Sequence, residues 1–173
     1  NRLDLYFVDA RSGRSRLVLR EVSDAWIEIT DDFHVLKSGD RFLWSSWRDG
    51  HTHLYLYSFN SRDPLAAEAN LERQLTRGEF EVSKVSAVDE ASGTVYFAAN
   101  QGDARQQHLF SVKLDGSDFR RITETPGSHS ATFAPDHRSY VLTYSALMTP
   151  PRLSVCKIGG RCAEIWQSSS IEP

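Results

Sequence analysis

Residues 41–59 read RFLWSSWRDGHTHLYLYSF. Two runs rich in Trp, Tyr, Phe and Leu flank the polar segment Trp47-Arg48-Asp49-Gly50. Aromatic and branched residues suit a pleated, half-buried surface, and Asp-Gly between two such runs signals a β-hairpin. The spacing predicts strands over Arg41–Ser46 and from Leu54 onward. The same layout recurs along the chain: an apolar run opening on Leu, a polar turn, and a second apolar run. Copies begin at Leu5 (LYFVDARSGRSRLVL), Leu54 (LYLYSF, leading to LERQLT), Leu109 (LFSVKLDGSDFRRIT) and Leu153 (LSVCKIGGRCAEIW).

Between these copies a second kind of hairpin occurs three times. Phe33–Leu36 turns at Lys37–Asp40 into Phe42–Trp44. Val85–Val88 turns at Asp89–Gly93 into Val95–Ala98. Ala131–Phe133 turns at Pro135–Arg138 into Tyr140–Tyr144. Gly supplies positive φ at such turns and Pro presets φ. Alternation of the two hairpins gives a four-strand cassette repeating every forty-odd to fifty-odd residues, the pattern of a β-propeller blade. A β-sandwich also spaces its strands closely, but has no reason to repeat a four-strand unit. The fold class expected is therefore all-β: a partial propeller of about three and a half four-stranded antiparallel blades. Residues 1–32 form a half blade and linker, and 33–82, 83–128 and 129–173 one blade each. The best helical candidate, Pro64–Leu71, reads as a loop excursion inserted in the second copy. Propellers close with four to eight blades, so the chain is expected to be part of a larger ring, with exposed edge strands that favour self-association.

The chain has 173 residues, 40% hydrophobic and 25% charged, with a net charge of −3. This is globular composition without a basic field for nucleic acid or a polybasic membrane anchor. No apolar run approaches the length of a membrane span. The two cysteines, Cys156 and Cys162, lie in VCKIGGRCAE. A three-residue loop there pairs Cys156 with Cys162 and permits a disulfide; a two-residue loop pairs Cys156 with Ala163 and forbids it. The disulfide would favour an oxidising, periplasmic or extracellular compartment. Two thiolates without nearby partners at ligand spacing do not suggest a metal site, and no cofactor motif is present.

Several segments bring a family into view. FLWSSWRDGHTHLYLY (residues 42–57) resembles the corresponding run of bacterial dipeptidyl peptidase IV-like proteins, in the prolyl oligopeptidase superfamily. LTRGEFEV (75–82) is similar to that family's Leu-Thr-x-Gly-x-Trp-Glu-Val, with Phe80 where Trp is usual. GTVYF (93–97) followed by HLF (108–110) looks like the next blade, and GSHSATFAPD (127–136), TYS (143–145) and TPP (149–151) like the last blades before a catalytic domain. The resemblance implies an N-terminal propeller, eight-bladed in the family, capping a C-terminal α/β-hydrolase domain of the same chain. Such enzymes carry a Ser-Asp-His triad, remove N-terminal dipeptides from peptide substrates after Pro or Ala, and hold the substrate's amino group with propeller carboxylates.

No catalytic residue is expected in this chain. The hydrolase nucleophile needs Gly-x-Ser-x-Gly at a strained strand-to-helix turn, and neither Gly13–Leu17 nor Gly127–Ala131 completes it. By resemblance, the Trp-led linker in SDAWIEITDDFH runs toward the extended substrate pockets, making Trp26, Ile29 and Thr30 candidate substrate-side residues. Set against this, a Trp there also fits as filling between blades. Glu79 and Glu81 flank Phe80 in a predicted strand and would share a face suited to an ammonium group. His51 and His53 would also share a strand face, though without a third metal ligand, and Arg48-Asp49 reads as a local ion pair in a turn. The alternative from a different class is a non-catalytic binding propeller, of the kind found in periplasmic translocation proteins.

Overall fold

The structure is a computed structural model that describes residues 1–27, 29 and 32–168. Fourteen strands and no helix are found among them: β1 (Arg2–Val8), β2 (Ser15–Val22), β3 (Phe33–Val35), β4 (Arg41–Ser46), β5 (His53–Ser58), β6 (Asn70–Gln74), β7 (Val82–Asp89), β8 (Thr94–Ala99), β9 (His108–Lys113), β10 (Arg120–Arg121), β11 (Ser128–Phe133), β12 (Ser139–Ala146), β13 (Thr149–Lys157) and β14 (Cys162–Gln167). They pair in sequence order into one two-stranded sheet, β1-β2, and three four-stranded sheets, β3-β4-β5-β6, β7-β8-β9-β10 and β11-β12-β13-β14, all antiparallel within each sheet. The all-β expectation of four-stranded blades with one preceding half is met by these sheets. The chain divides into two compact units, Asn1–Gly78 and Glu79–Pro173, and each is treated separately.

The central strands of the β3–β6 and β7–β10 sheets are buried on both faces. In β4, Phe42 through Ser46 are buried, and in β5 His53 through Tyr57 are. The same holds for all of β8 and for His108–Val112 of β9. A strand buried on both sides reads as a near-continuous apolar run, which is why 41–59 looks so aromatic. Within the first unit, Leu19 of β2 packs with Phe42, Trp44, Tyr55 and Tyr57, closing the half blade onto the next sheet. Phe42 and Tyr57 stack with centroids 5.3 Å apart and planes 6° apart. Such a pair adds about 0.5–1.5 kcal/mol beyond its buried area. Within the second unit, Tyr96 and Leu109 pack with Tyr140 and Cys156 across the two sheets.

The turns follow their sequences with two differences. At Leu36–Asp40 and Asp89–Gly93 the left-handed position is Gly39 (φ 73°) and Gly93 (φ 64°). At the third turn the residue is His137, with φ 54° and the same N–H to carbonyl closure, onto Ala134, at 2.9 Å. The connection after Ser46 is longer than an Asp-Gly hairpin: Ser46 pairs with His53, leaving residues 47–52 as the loop. The excursion at 60–69 runs as turns and is pinned where Ala69 N–H donates to Val18 O at 2.8 Å. At the β13–β14 turn Cys156 pairs directly with Cys162, and the two sulfurs are bonded. Cys156 is fully buried in the core, whereas Cys162 is exposed. Closing so short a loop contributes about 2 kcal/mol on the chain-entropy account.

Gly127, just before β11, has φ 143°, and an added Cβ would stand 2.6 Å from Ser145 O and 2.8 Å from the Tyr144 ring. Backbone conformation and space both exclude a side chain there. Gly127→Ala is expected to cost at least about 2 kcal/mol, read as a lowered denaturant midpoint. A change under about 0.5 kcal/mol would show that this approach is looser than drawn.

Candidate functional site

In the first unit, β2 runs out into the linker and the β4–β5 turn returns at the same end of the sheets. Glu21, near the end of β2, joins them. Its Oε1 accepts from Trp44 Nε1–H at 2.9 Å and from Arg48 Nη2 at 2.5 Å. Arg48 also donates from Nε to Ser46 Oγ at 2.9 Å and lies 4.3 Å above the Tyr55 ring and 5.7 Å from that of Tyr57. Asp49 instead accepts from Tyr55 Oη at 2.6 Å and Gln74 Nε2 at 2.9 Å. The expected local Arg48–Asp49 pair is thus corrected. The Glu21 side chain is about one-tenth exposed, so Arg48 is drawn to the less hydrated carboxylate, where the attraction is less screened. Burial, with the Asp49 carboxylate beside it, pushes the Tyr55 hydroxyl pKa well up, so it remains a donor.

Beyond this network lies the linker. Asn1 Nδ2 donates to Ala25 O at 2.6 Å, and Ala25 N–H to Ser23 Oγ at 3.1 Å, fixing its first turn. Trp26 and Ile29 are then 77% and 76% exposed, so neither fills a gap within this unit. Thr30 lies outside the described residues. Trp47, on the adjacent turn, is 40% exposed.

The two histidine expectations separate. His51 sits in the turn, whereas His53 opens β5 and is 1% exposed. His53 Nε2–H donates to Gly78 O at 3.0 Å, which leaves Nδ1 to accept from the Thr76 hydroxyl at 3.1 Å. Thr76 Oγ1 in turn accepts from Leu54 N–H at 3.0 Å. The arrangement repeats in the second unit: His108 Nδ1 with Thr123 Oγ1 at 3.1 Å, and Leu109 N–H to Thr123 Oγ1 at 3.0 Å. At the matching place in the half blade, Asp4 and Arg20 form a two-point ion pair at 2.8 and 3.0 Å. The signal was present as His-Leu at 53 and 108 and Leu/Ile-Thr at 75 and 122. Among the described residues, no group of three His, Cys, Asp or Glu side chains is gathered closely enough to hold a metal ion.

In the second unit, Glu79–Glu81 precede β7 and are not in a strand, so the shared-face expectation is corrected. Phe80 is 4% exposed and turned inward against Phe119. Glu81 lines a polar cleft of about 240 Å³ with Asn100, Gln106, Gln107 and Ser128; Glu79 does not.

Sheets of this form, two-sided at their centres and repeated in sequence order, define propeller blades. The chain matches the family described as the dipeptidyl peptidase IV N-terminal region over residues 1–151, and belongs to it. It is 29% identical over 163 residues to a protein of Emericella nidulans named "Probable dipeptidyl-aminopeptidase B", covering 86% of this chain and 17% of that one. A protein of the same name from Tuber melanosporum is 31% identical over 159 residues, 83% of this chain and 16% of that one. Among solved structures, Porphyromonas gingivalis dipeptidyl peptidase 4 superimposes with a TM-score of 0.82 at 23% identity, covering 96% of this chain and 23% of that one. The chain therefore spans about a sixth of the length of these curated relatives. Because those relatives are fungal, the bacterial source suggested by the resemblance is not borne out.

The Glu21 hub makes a definite demand. Glu21→Ala leaves the Arg48 guanidinium and the Trp44 indole N–H without their acceptor, and is expected to cost about 2–4 kcal/mol. Glu21→Gln keeps an acceptor and should lose less. Equilibrium denaturation decides; equal losses for the two variants would refute the acceptor role and leave the charge alone as what holds the hub.

Proposed function

We propose that this chain is part of the substrate-gating and orienting propeller of a serine dipeptidyl peptidase, whose C-terminal α/β-hydrolase domain belongs to the same polypeptide. The observation that carries the reading is the family match over residues 1–151. In this role the propeller admits short peptides, excludes folded ones, and holds the N-terminus so that Xaa-Pro or Xaa-Ala is presented to the nucleophile. Positioning of this kind lowers the entropy cost of the chemical step, while acyl transfer itself belongs to the triad of the hydrolase. The exposure of Trp26 and Ile29, on a linker tied to the rigid Glu21–Arg48 hub, supports Trp26, Ile29 and Thr30 as the substrate-side residues.

The test uses the full-length polypeptide. Trp26→Ala and Ile29→Ala are expected to raise KM for peptides of four or more residues about three- to tenfold, with kcat for a minimal Xaa-Pro chromogenic substrate unchanged. The 173-residue chain alone should give no turnover. Robust hydrolysis by the isolated chain, surviving re-purification, would end this reading. Unchanged KM in both variants would remove the linker from it.

Cut from a ring, the chain would expose blade edges and faces that pair with another copy. Val155, Ile165 and Trp166, 41–59% exposed on β13 and β14, support such self-association. Sedimentation is expected to show concentration-dependent dimers, and a monomer throughout would count against it.

A second reading, a partner-binding propeller without catalysis, draws on Leu147 and Met148, 98% and 90% exposed at the tip of the β12–β13 hairpin. Coding sequence beyond residue 173 separates the two: a downstream Gly-x-Ser-x-Gly supports the peptidase, and an early stop the binding module.

A further inference from the structure

The seam between the β7–β10 and β11–β14 sheets, both in the second unit, is stitched by backbone at Gln107 and Ser128, which form a parallel bridge. Gln107 N–H donates to Gly127 O at 3.1 Å and His129 N–H to Gln107 O at 2.8 Å. Immediately beside these bonds two imidazoles face one another across the seam. His108 of β9 and His129 of β11 are 1% and 3% exposed, with ring centroids 5.0 Å apart and planes at 30°. The Tyr144 ring closes the far side of His129 at 4.8 Å.

The surroundings of both rings favour the neutral form. His129 Nε2–H donates to Thr125 O at 2.7 Å, and Nδ1 is buried with no partner. Neutral, Nδ1 is an unfilled acceptor; protonated, it becomes a buried donor on a cation with nothing to receive it, a much costlier state. His108 Nε2 lies 2.9 Å from Gln106 Oε1, and Nδ1 lies 3.1 Å from Thr123 Oγ1. Protonation at Nδ1 would force the Thr123 hydroxyl, already an acceptor from Leu109 N–H, to turn its proton away. A cation is present already: Arg121 Nη2 stands 3.0 and 2.6 Å from the two nitrogens of His108, anchored by Nε to Thr123 O at 2.7 Å.

We propose that this seam is a proton-operated joint between two blades, closed while His108 and His129 are neutral and released when acid charges them. Charging both rings would place three cations in contact across the seam, next to the bonds that hold it. The other charged groups nearby do not reverse this. Glu124 lies beside Arg121 and favours protonation of His108 as a lesser influence. Asp103 is committed to Arg105 and to Gln106 Nε2. Arg152, the register partner of Tyr144 across β12 and β13, is paired with Glu164 at 3.7 Å.

Burial first, and Arg121 in addition, hold both imidazoles below their ordinary value. An unfolded histidine titrates at about 6.5. The folded form thus binds fewer protons than the unfolded one as pH falls below that value. The stabilisation is complete above it and is lost on acidification toward the folded values.

The experiment follows the imidazole carbon-bound protons of the whole 173-residue chain by NMR from pH 8 to 4.5, with amide exchange corrected for intrinsic pH dependence. His108 and His129 are expected to protonate below the unfolded value. Over the same interval Gln107 and His129 amides should lose protection about tenfold per unit of pKa depression, ahead of Val95 and Phe97 in the sheet interior. In His129→Phe, which keeps a ring against Tyr144, the loss should be roughly halved on a logarithmic scale. Protonation of both rings at or above the unfolded value, or seam amides that keep their protection after the rings charge, would overturn the joint. The wild-type titration decides even if the variant folds poorly.

Discussion

The β3–β6 and β7–β10 sheets depend on one constraint: their two middle strands are buried on both faces, so each sheet is stable only with something packed on each side. Phe42, Leu43, Trp44, Tyr55, Leu56 and Tyr57 are all under one-tenth exposed. Burying side chains of this size contributes about 1.5–3 kcal/mol each, far more than any turn or surface ion pair. The half blade therefore does more than lead into the fold. Leu19 and its neighbours on β1 and β2 cover Phe42 and Tyr57, and without them that face would be in water. Edge strands obey the opposite rule. β14 is exposed along its whole length, as suits the outer strand of its sheet.

How much of this was legible in the sequence follows from range. Each hairpin is closed by local chemistry, a turn residue and two runs of β-formers, and alternation of two hairpins makes a blade without knowledge of any distant residue. The site resisted because its partners are far apart. Arg48 stands next to Asp49, and proximity in sequence suggested a pair; the structure joins Arg48 to Glu21, 27 residues away, because the less hydrated carboxylate wins. The alternation of Glu79, Phe80 and Glu81 suggests a strand, yet the strand begins only at Val82. The inward turn of Phe80 toward Phe119 is a tertiary event with no local signature.

The histidines show a third case, a signal present but unread. His53 and His108 occupy equivalent register positions, each one residue before a repeat's first Leu, and each meets a Thr across the strand pair. One hydroxyl serves two purposes: it receives the backbone N–H of the following residue and donates to Nδ1. The strand end is thereby satisfied without water, as buried backbone groups require. The Asp4–Arg20 pair takes this position in the half blade, where the site is wetter and a charged pair costs less to hold.

That equivalence separates a structural histidine from a responsive one. His53 and His108 share a fold position and a Thr partner, but their Nε2 partners differ. His53 donates to the backbone carbonyl of Gly78. His108 Nε2 meets the side-chain amide of Gln106, and its ring is shared with Arg121 and His129. A backbone acceptor is fixed by the chain, whereas a side-chain acceptor can rotate away at the cost of one contact. With a second imidazole and a guanidinium in contact, the second unit has gathered at one seam the groups whose mutual repulsion grows most with each added proton. The same polar clamp that closes a strand end in the first unit has, in the second, become sensitive to acid.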